Sequence, residues 1–204
     1  MTTATRSYYP VFLDLDGRLT VVVGDGSEAA ARADALREVG ARVRVVASRS
    51  FRPGDLEGAS LAIALADDAT NEAVRAAATL HRVPLNVVDR PARCDWIHGA
   101  VLRRGGLVVA ISTSGAAPAL AVRIKERLAN DLGPEYGRFL ELAAEQRGAV
   151  SGSGLSFAAR RRVWYRLVDS GALAALRAED ARADAIFAAE LAAALADEAA
   201  PRIA

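Results

Sequence analysis

Residues 19–46 contain a strand, a glycine turn, a helix and a second strand, and this order constrains the fold more than any other feature. Residues 19–23 are rich in β-branched side chains and predict a short buried strand. Apolar residues recur at helical spacing over 27–39, and Gly40 is typical of a helix end. Residues 43–46 predict the second strand. Because a β-α-β unit requires a parallel sheet, we expect an α/β fold.

The alternation continues and then stops. Further strands are predicted at 61–65, 85–88 and 107–111, with a helix at 69–81. The connection 47–60 is too short for a crossover helix, so the sheet should be a trimmed one. Beyond it the sequence predicts only helices, at 118–132, 134–146, 156–169, 172–178 and 180–197. We therefore expect a Rossmann-like NAD-binding domain over 1–112 and an all-helical dimerisation and substrate-binding region over 113–204.

Composition excludes several classes of protein. The 204 residues carry 26 basic and 25 acidic side chains, a net charge of +1, which argues against a nucleic-acid partner. The single cysteine excludes an internal disulfide. No apolar run approaches the length of a membrane span, and the first residues lack the apolar core of a signal peptide. We expect a cytoplasmic protein without a membrane partner.

Gly24 to Ala29 fits the dinucleotide-binding pattern G-x-G-x-x-G/A between a strand and a helix. Gly24 allows the tight turn, and Gly26 lets the backbone approach a pyrophosphate. The carboxylates of Asp25 and Glu28 repel a pyrophosphate unless they point away from it. The alternative is a glycine turn that binds no nucleotide.

The second strand ends without the acidic residue that usually binds the ribose. Ser48 is a candidate for that contact, and Arg49 leaves NADP open as the cofactor.

Ligands of open α/β sheets bind beyond the carboxyl ends of the strands, where Ser48, Asp67, Asp89 and residues 112–115 should lie. Asp89 follows a buried strand, so its carboxylate is a candidate for proton exchange at a cleft. Alternatively, Asp89 caps a loop or pairs with Arg90 or Arg93.

Three further groups have both a functional and a structural interpretation. Thr113, Ser114 and Gly115 suit the binding of a carboxylate, or else they only cap a helix. Arg103 and Arg104 either receive substrate carboxylates or are solvated. The set Cys94, Asp95 and His98 lacks an established metal-ligand spacing, and we predict packing there and no metal ligands.

Several motifs in order resemble one known family. They are Tyr-Pro-Val-Phe-Leu-Asp-Leu at 9–15, Val-Val-Val-Gly-Asp-Gly at 21–26, Val-Gly-Ala-Arg-Val at 39–43, Asn-Val-Val-Asp at 86–89, Cys-Asp-Trp-Ile at 94–97 and the segment 107–118. Over nearly the whole chain the sequence resembles the N-terminal module of sirohaem synthases, the precorrin-2 dehydrogenase and sirohydrochlorin ferrochelatase family.

The resemblance implies NAD-dependent dehydrogenation of precorrin-2 to sirohydrochlorin and, in many members, insertion of Fe²⁺ at the same site. It also implies a homodimer formed through the helical half. Asp89 matches the family aspartate implicated in both steps, and Thr113 matches the hydroxyl residue beside the substrate. The positions where the family contacts NAD are Ser27, Glu28, Ser48 and Arg49.

The chain departs from the family pattern at several places, among them the glycine turn and the connection after the second strand. The family's three consecutive glycines are here Gly24-Asp25-Gly26, and the connection 47–60 is shorter than in the family. These departures motivate an alternative, a tetrapyrrole chelatase or tetrapyrrole-binding protein that has lost NAD-dependent activity. A third alternative is a non-enzymatic scaffold or sensor.

Overall fold

The computed structural model describes residues 7–200, which form two compact units. The first contains the described residues up to His98 together with Ser112–Ala117, and the second contains Gly99–Ile111 and the residues from Pro118 onwards. The chain therefore leaves the first unit after His98 and returns to it at Ser112–Ala117. The sequence, in contrast, predicts one boundary after residue 112. Residues 1–6 and 201–204, which the predicted domains include, lie outside the described part.

The first unit is built on a four-stranded parallel sheet. Its strands are β1 (Leu19–Gly24), β2 (Arg42–Val46), β3 (Leu61–Leu65) and β4 (Leu85–Val87), in the spatial order β2-β1-β3-β4. Helix α1 (Gly26–Arg37) connects β1 to β2, and α2 (Asp68–His81) connects β3 to β4. This architecture confirms the predicted α/β fold with a trimmed parallel sheet.

Strand β1 is buried on both faces, which explains its uninterrupted β-branched sequence. Val21 and Val23 pack in a cluster with Val74 and Ala77 of α2. Val22 points to the opposite face and packs in a second cluster with side chains of α1. Each face of the central strand is therefore covered by its own helix.

The connection between β2 and β3 contains two short 3₁₀ turns, Ser48–Ser50 and Pro53–Leu56. Leu56 is fully buried beneath the sheet and fixes the second turn. The sequence prediction of a loop or single turn without a crossover helix is confirmed.

The loop after β4 is held by two side chains that replace strand hydrogen bonds. The Cys94 sulfur accepts the Val87 N–H at 3.2 Å and lies 3.2 Å from the Val87 carbonyl oxygen. Asp95 accepts the Leu85 N–H at 3.0 Å and pairs with Arg75 at 2.8 Å. These contacts fix the start and the end of the loop that carries Asp89.

In the second unit, β5 (Ala100–Arg104) and β6 (Leu107–Ile111) form an antiparallel hairpin. The prediction that residues 107–111 extend the parallel sheet is wrong, and the sequence analysis did not predict β5. Gly105 and Gly106 form the connection, which is long enough for an antiparallel pair but too short for a parallel crossover.

Five helices complete the second unit: α3 (Pro118–Asp131), α4 (Glu135–Ser151), α5 (Phe157–Val168), α6 (Ala172–Arg177) and α7 (Ala183–Ala199). Phe139 and Phe187 meet edge to face in its core, with ring centroids 5.2 Å apart. The five predicted helices are confirmed, with ends shifted by a few residues. Within residues 7–200, no helix has both the length and the apolar content needed to cross a bilayer.

Glu135 is a buried carboxylate at the start of α4, with 4% of its side chain exposed. It accepts a hydrogen bond from Arg177 Nε at 2.8 Å. Burial raises the pKa of Glu135, but the Arg177 hydrogen bond and the nearby backbone N–H groups outweigh it, so the pKa lies below its usual value. The carboxylate therefore stabilises the folded state when it is ionised.

We predict that Glu135→Gln lowers the free energy of unfolding by about 1–3 kcal/mol at neutral pH, because the charged hydrogen bond is lost. A carboxyl group with a lowered folded-state pKa contributes its stability above the unfolded value, near 4.5, and loses it as the pH falls through the folded value. The gap between variant and parent should therefore close in acid. Denaturant titrations from neutral pH to pH 3 measure it, with the exposed Glu141→Gln as the control. A gap that stays constant with pH contradicts the prediction.

We predict that Cys94→Ala destabilises the first unit by about 1–3 kcal/mol, because the buried Val87 N–H loses its acceptor. Cys94→Ser, which keeps a donor and an acceptor, should lose less. Thermal unfolding of both variants measures the effect. If Cys94→Ala is as stable as the parent, the hydrogen bond from the Val87 N–H to the sulfur does not stabilise the unit.

Candidate functional site

The register of the parallel sheet brings four strand ends to one edge. Val23 lies opposite Val46 of β2, Gly24 lies opposite Leu65 of β3, and Ala64 lies opposite Val87 of β4. Neighbouring strands are about 4.8 Å apart, so the ends of β1 and β4 are separated by about 10 Å. The glycine turn and the loop of Asp89 therefore share the edge at which open α/β sheets bind ligands.

The glycine turn has the backbone that the sequence pattern requires. A Cβ at Gly24 would lie 2.8 Å from the Leu65 carbonyl oxygen, so only glycine lets β1 turn against β3. Gly26 has a φ of +76°, and no atom lies within 4 Å of where its Cβ would be. The surface above Gly26 is thus open to a ligand. The first N–H groups of α1 have no partner inside the helix, so they are available to an anionic ligand at this surface.

The carboxylates of Asp25 and Glu28, at the N-cap and in the first turn of α1, bind partners other than the first N–H groups of the helix. Asp25 precedes the helix but does not cap it with its side chain, and its Oδ2 instead accepts the Ser48 N–H at 3.1 Å. Glu28 pairs with Arg32 one turn later, at 3.4 Å. The turn therefore fits the pyrophosphate of a dinucleotide, which the two carboxylates would repel from other positions.

The predicted ribose contacts lie just past β2. Ser48 begins a 3₁₀ turn, and its N–H is already bound to Asp25. Its hydroxyl and then its N–H lower the pKa of Asp25 below the usual value, with a smaller effect from the charge of Arg49. The Arg49 side chain is exposed beside them.

Asp67 caps α2, and Asn71 closes the same loop. Asp67 Oδ1 accepts the Thr70 N–H at 2.7 Å, which lowers its pKa. The buried Asn71 accepts the Ala66 N–H and donates to the Ala66 carbonyl at 2.8 Å. The structure thus gives Asp67 a capping contact at the expected edge, and its assignment to the cofactor stays a prediction. Sequence reasoning assigned no function to Asn71, although an amide at a core-facing helical position is a signal for such a contact.

Asp89 lies two residues past β4 and is exposed. Its φ is +58°, a left-handed conformation that aspartate and asparagine adopt more readily than most residues. The turn is closed by the Arg90 N–H, which donates to the Val87 carbonyl at 3.1 Å. The Asp89 carboxylate is therefore presented to solvent at the sheet edge by a defined backbone turn.

The two arginines that follow Asp89 in its loop form ion pairs with helix α2. Arg90 pairs with Asp68 of α2 at 3.4 Å, and Arg93 lies 3.7 Å from both Asp68 and Glu72. The sequence left open whether these arginines neutralise Asp89, and the ion pairs found for both are with α2.

The segment Ser112–Ala117 returns to the first unit and folds on its own hydroxyl groups. Ser112 Oγ accepts the Ser114 N–H at 3.0 Å, and Thr113 Oγ1 accepts the Ala117 N–H at 3.2 Å. Gly115 has a φ of +81°, and a Cβ there would lie 3.6 Å from Pro91 Cγ. The structure therefore brings this hydroxyl segment next to the loop that carries Asp89.

Arg103 and Arg104 belong to β5 in the second unit and differ in their contacts. Arg104 donates to the carbonyls of Leu132 at 2.7 Å and Ala129 at 3.3 Å, at the end of α3. Its guanidinium stabilises a helix end. Arg103 is exposed, and of the two it is the better candidate for a substrate carboxylate.

No group of three or more histidine, cysteine, aspartate or glutamate side chains converges on a metal-sized site within the described ranges. Cys94 and Asp95, which the sequence raised as ligands, bind backbone and Arg75 instead.

Three family models match the chain in succession. An NAD(P)-binding family matches residues 11–100, the central region of sirohaem biosynthesis proteins matches 104–130, and the sirohaem synthase dimerisation region matches 135–197. The first match covers the glycine turn and Asp89 and confirms the predicted cofactor class, whereas the domain bounds stay a prediction.

Similar proteins carry the same assignment. The siroheme synthase of Nitrosomonas eutropha is 35% identical over 79% of this chain and 38% of its own length. The siroheme synthase of Methylococcus capsulatus is 35% identical over 91% of this chain and 44% of its own. The chain thus spans less than half the length of these relatives.

The solved structure of SirC, a precorrin-2 dehydrogenase, superposes with a TM-score of 0.68 at 22% identity, over 91% of this chain and all of that one. This likeness confirms the fold. With three family regions matched in order, the chain belongs to the family formed by the NAD(P)-binding, central and dimerisation regions of sirohaem synthases, as its motifs indicate.

Proposed function

We propose that this chain binds NAD⁺ at the turn 24–29 and oxidises precorrin-2 to sirohydrochlorin. The observation that carries the proposal is the shared sheet edge. An open glycine turn, whose two carboxylates bind Ser48 and Arg32, lies two strands away from the exposed carboxylate of Asp89. The names of the relatives and of the SirC structure support the same reaction.

The residues that hold the dinucleotide follow from the turn. Gly24 and Gly26 let the backbone approach the pyrophosphate, and the N–H groups of Ser27 and Glu28 are its donors. Ser48 and Arg49 follow β2, where the ribose belongs, and Asp25 reaches this strand end from β1 by accepting the Ser48 N–H. Asp67 follows β3. NAD⁺ supplies the acceptor for a hydride from the substrate.

Asp89 is the proposed base. Dehydrogenation of a reduced tetrapyrrole removes a hydride and a proton, and the proton needs an acceptor next to the macrocycle. The left-handed turn presents the Asp89 carboxylate to solvent, and the neighbouring arginines pair with α2. Asp89 takes the proton in this proposal.

The substrate carries carboxylates around its rim, for which hydroxyl, amide and guanidinium groups are suitable donors. The segment containing Thr113, Ser114 and Gly115 lies next to Pro91 in the Asp89 loop and is the proposed anchor. Arg103 and Arg104 belong to the second unit, where Arg104 already binds the end of α3, and their assignment to the substrate stays a prediction from the sequence.

Insertion of Fe²⁺ into sirohydrochlorin is a second proposed activity, in which Asp89 would accept the pyrrole N–H protons. The alternative of a chelatase that does not use NAD rests on Asp25 and Glu28 in the glycine turn. Because both carboxylates bind partners outside the turn, the structure favours the dehydrogenase. A cytoplasmic location stays a prediction from the sequence.

We expect purified protein with NAD⁺ to convert precorrin-2 to sirohydrochlorin, with NADH formed in equal amount. Absorbance spectra follow the tetrapyrrole, and NADH fluorescence follows the cofactor. Adding ferrous iron afterwards tests the insertion step separately. Iron insertion without any NAD-dependent conversion would support the alternative.

Asp89→Asn should lower the turnover number by about 100-fold or more, because a positioned general base contributes that much. Asparagine keeps the left-handed turn, whereas alanine would add backbone strain. Glu141→Gln, which removes an exposed ion pair with Arg138 in the second unit, is the control and should turn over normally. Unchanged turnover in Asp89→Asn would remove Asp89 from the mechanism.

We also propose that the chain forms a homodimer through its helical unit. On α5, Phe157, Tyr165 and Val168 are 75%, 58% and 45% exposed, and their spacing places them on one face. The face lies within the region that matches the sirohaem synthase dimerisation model.

The double variant Phe157→Glu, Tyr165→Glu should elute as a monomer where the parent elutes as a dimer, since two charges would be buried at the contact. Light scattering after gel filtration gives the masses. Leu80→Glu, at a residue 73% exposed on α2, is the control and should stay dimeric. A dimeric double variant would place the contact elsewhere.

A further inference from the structure

The end of β2 lacks a carboxylate of its own. In dinucleotide-binding sheets, an acidic residue at the end of the second strand hydrogen-bonds the ribose hydroxyls of NAD and disfavours the 2′-phosphate of NADP. Here β2 ends at Val46, and Ala47, Ser48 and Arg49 follow. The residues of this strand end therefore give no basis for selecting NAD.

Asp25 places a carboxylate at this position from the neighbouring strand. It follows β1, but its Oδ2 accepts the Ser48 N–H just past β2, at 3.1 Å. The Asp25 residue is exposed, so its carboxylate can accept a further hydrogen bond from a ligand. Hydrogen bonds from Ser48 keep the pKa of this carboxyl low, and it is ionised at neutral pH.

We propose that Asp25 replaces the missing acid of β2 and makes this chain select NAD over NADP. The proposal rests on the proposed function, because it concerns the cofactor of that site. The carboxylate is oriented by Ser48, whose N–H binds Oδ2, and it accepts a ribose hydroxyl at its solvent-exposed side. A 2′-phosphate at the same position would meet a fixed negative charge.

Arg49 makes the direction of the effect testable. Its exposed guanidinium lies close enough to Asp25 for the two charges to interact. When Asp25 is ionised, it offsets the attraction of Arg49 for a 2′-phosphate. Without that charge, Arg49 attracts NADP, since arginine is well suited to bind phosphate.

The experiment measures the dissociation constants of NAD⁺ and NADP⁺ by calorimetry for the parent and for Asp25→Asn. Asparagine has the same shape and still accepts the Ser48 N–H. We expect the parent to prefer NAD⁺, and the ratio of the two constants to shift about tenfold or more toward NADP⁺ in the variant. Adding Arg49→Ala to Asp25→Asn should remove the gain for NADP⁺.

Asp34→Asn is the matched control. It removes an exposed carboxylate that pairs with Arg37 in the last turn of α1, far along the helix from the glycine turn. The ratio of the NAD⁺ and NADP⁺ dissociation constants should be the same in this control as in the parent. If Asp25→Asn binds NAD⁺ with an unchanged ratio, or binds both dinucleotides equally more tightly, the selectivity proposal is overturned while the proposed function stands. If the parent binds neither dinucleotide, the NAD-dependent function fails and the selectivity proposal fails with it.

Discussion

The close approach of β1 to β3 at Gly24 is the constraint on which the rest of the first unit depends. The carbonyl oxygen of Leu65 lies only 2.8 Å from where a Cβ of Gly24 would be, so the chain can leave β1 and enter α1 at this point because residue 24 has no side chain. The valines before it are buried on both faces and hold β1 at the centre of the sheet. Turn, helix and strand ends are therefore fixed together.

Polar side chains inside the first unit complete this arrangement by replacing backbone hydrogen bonds. Asn71 satisfies both polar groups of Ala66, and Asn86 donates to the Trp96 carbonyl at 2.9 Å. Cys94 binds the backbone of Val87. Each of these side chains fixes a loop at the carboxyl edge of the sheet. The loops of Asp67 and Asp89 are thus fixed by buried side chains, while the side chains of Asp67 and Asp89 themselves are exposed.

The sequence predicted the fold where local pattern and packing agree. The β1-α1-β2 segment combines a β-branched run, a glycine turn and a helical period, and each signal indicates the same element. The pattern failed at β5, where Ala100 to Arg104 alternates too weakly to indicate a strand. The partner strand β6 looked like one more buried strand, because pairing direction depends on the Gly105-Gly106 connection.

The candidate site was predictable in position but only partly in contacts. The order of the strands is enough to place Gly24, Asp67 and Asp89 at one edge. It does not show that Asp67 caps α2 or that Arg104 binds the end of α3, since both depend on side-chain geometry. The orientation of Asp25 was equally hidden, because a carboxylate after Gly24 has two sets of N–H donors within reach, those of α1 and that of Ser48.

The hydrogen bond that Asp25 accepts from Ser48, in place of one from the start of α1, has a consequence for ligand binding. At the start of α1 the carboxylate would be stabilised by the helix dipole, and it would then compete with an anionic ligand for the same N–H groups. Bound to Ser48, it forms its hydrogen bonds at the adjacent strand end and leaves the helix start open. The Asp25 side chain accordingly makes no capping hydrogen bond to α1. An acidic residue in the turn is therefore compatible with dinucleotide binding, since its carboxylate binds Ser48 and does not occupy the first N–H groups of the helix.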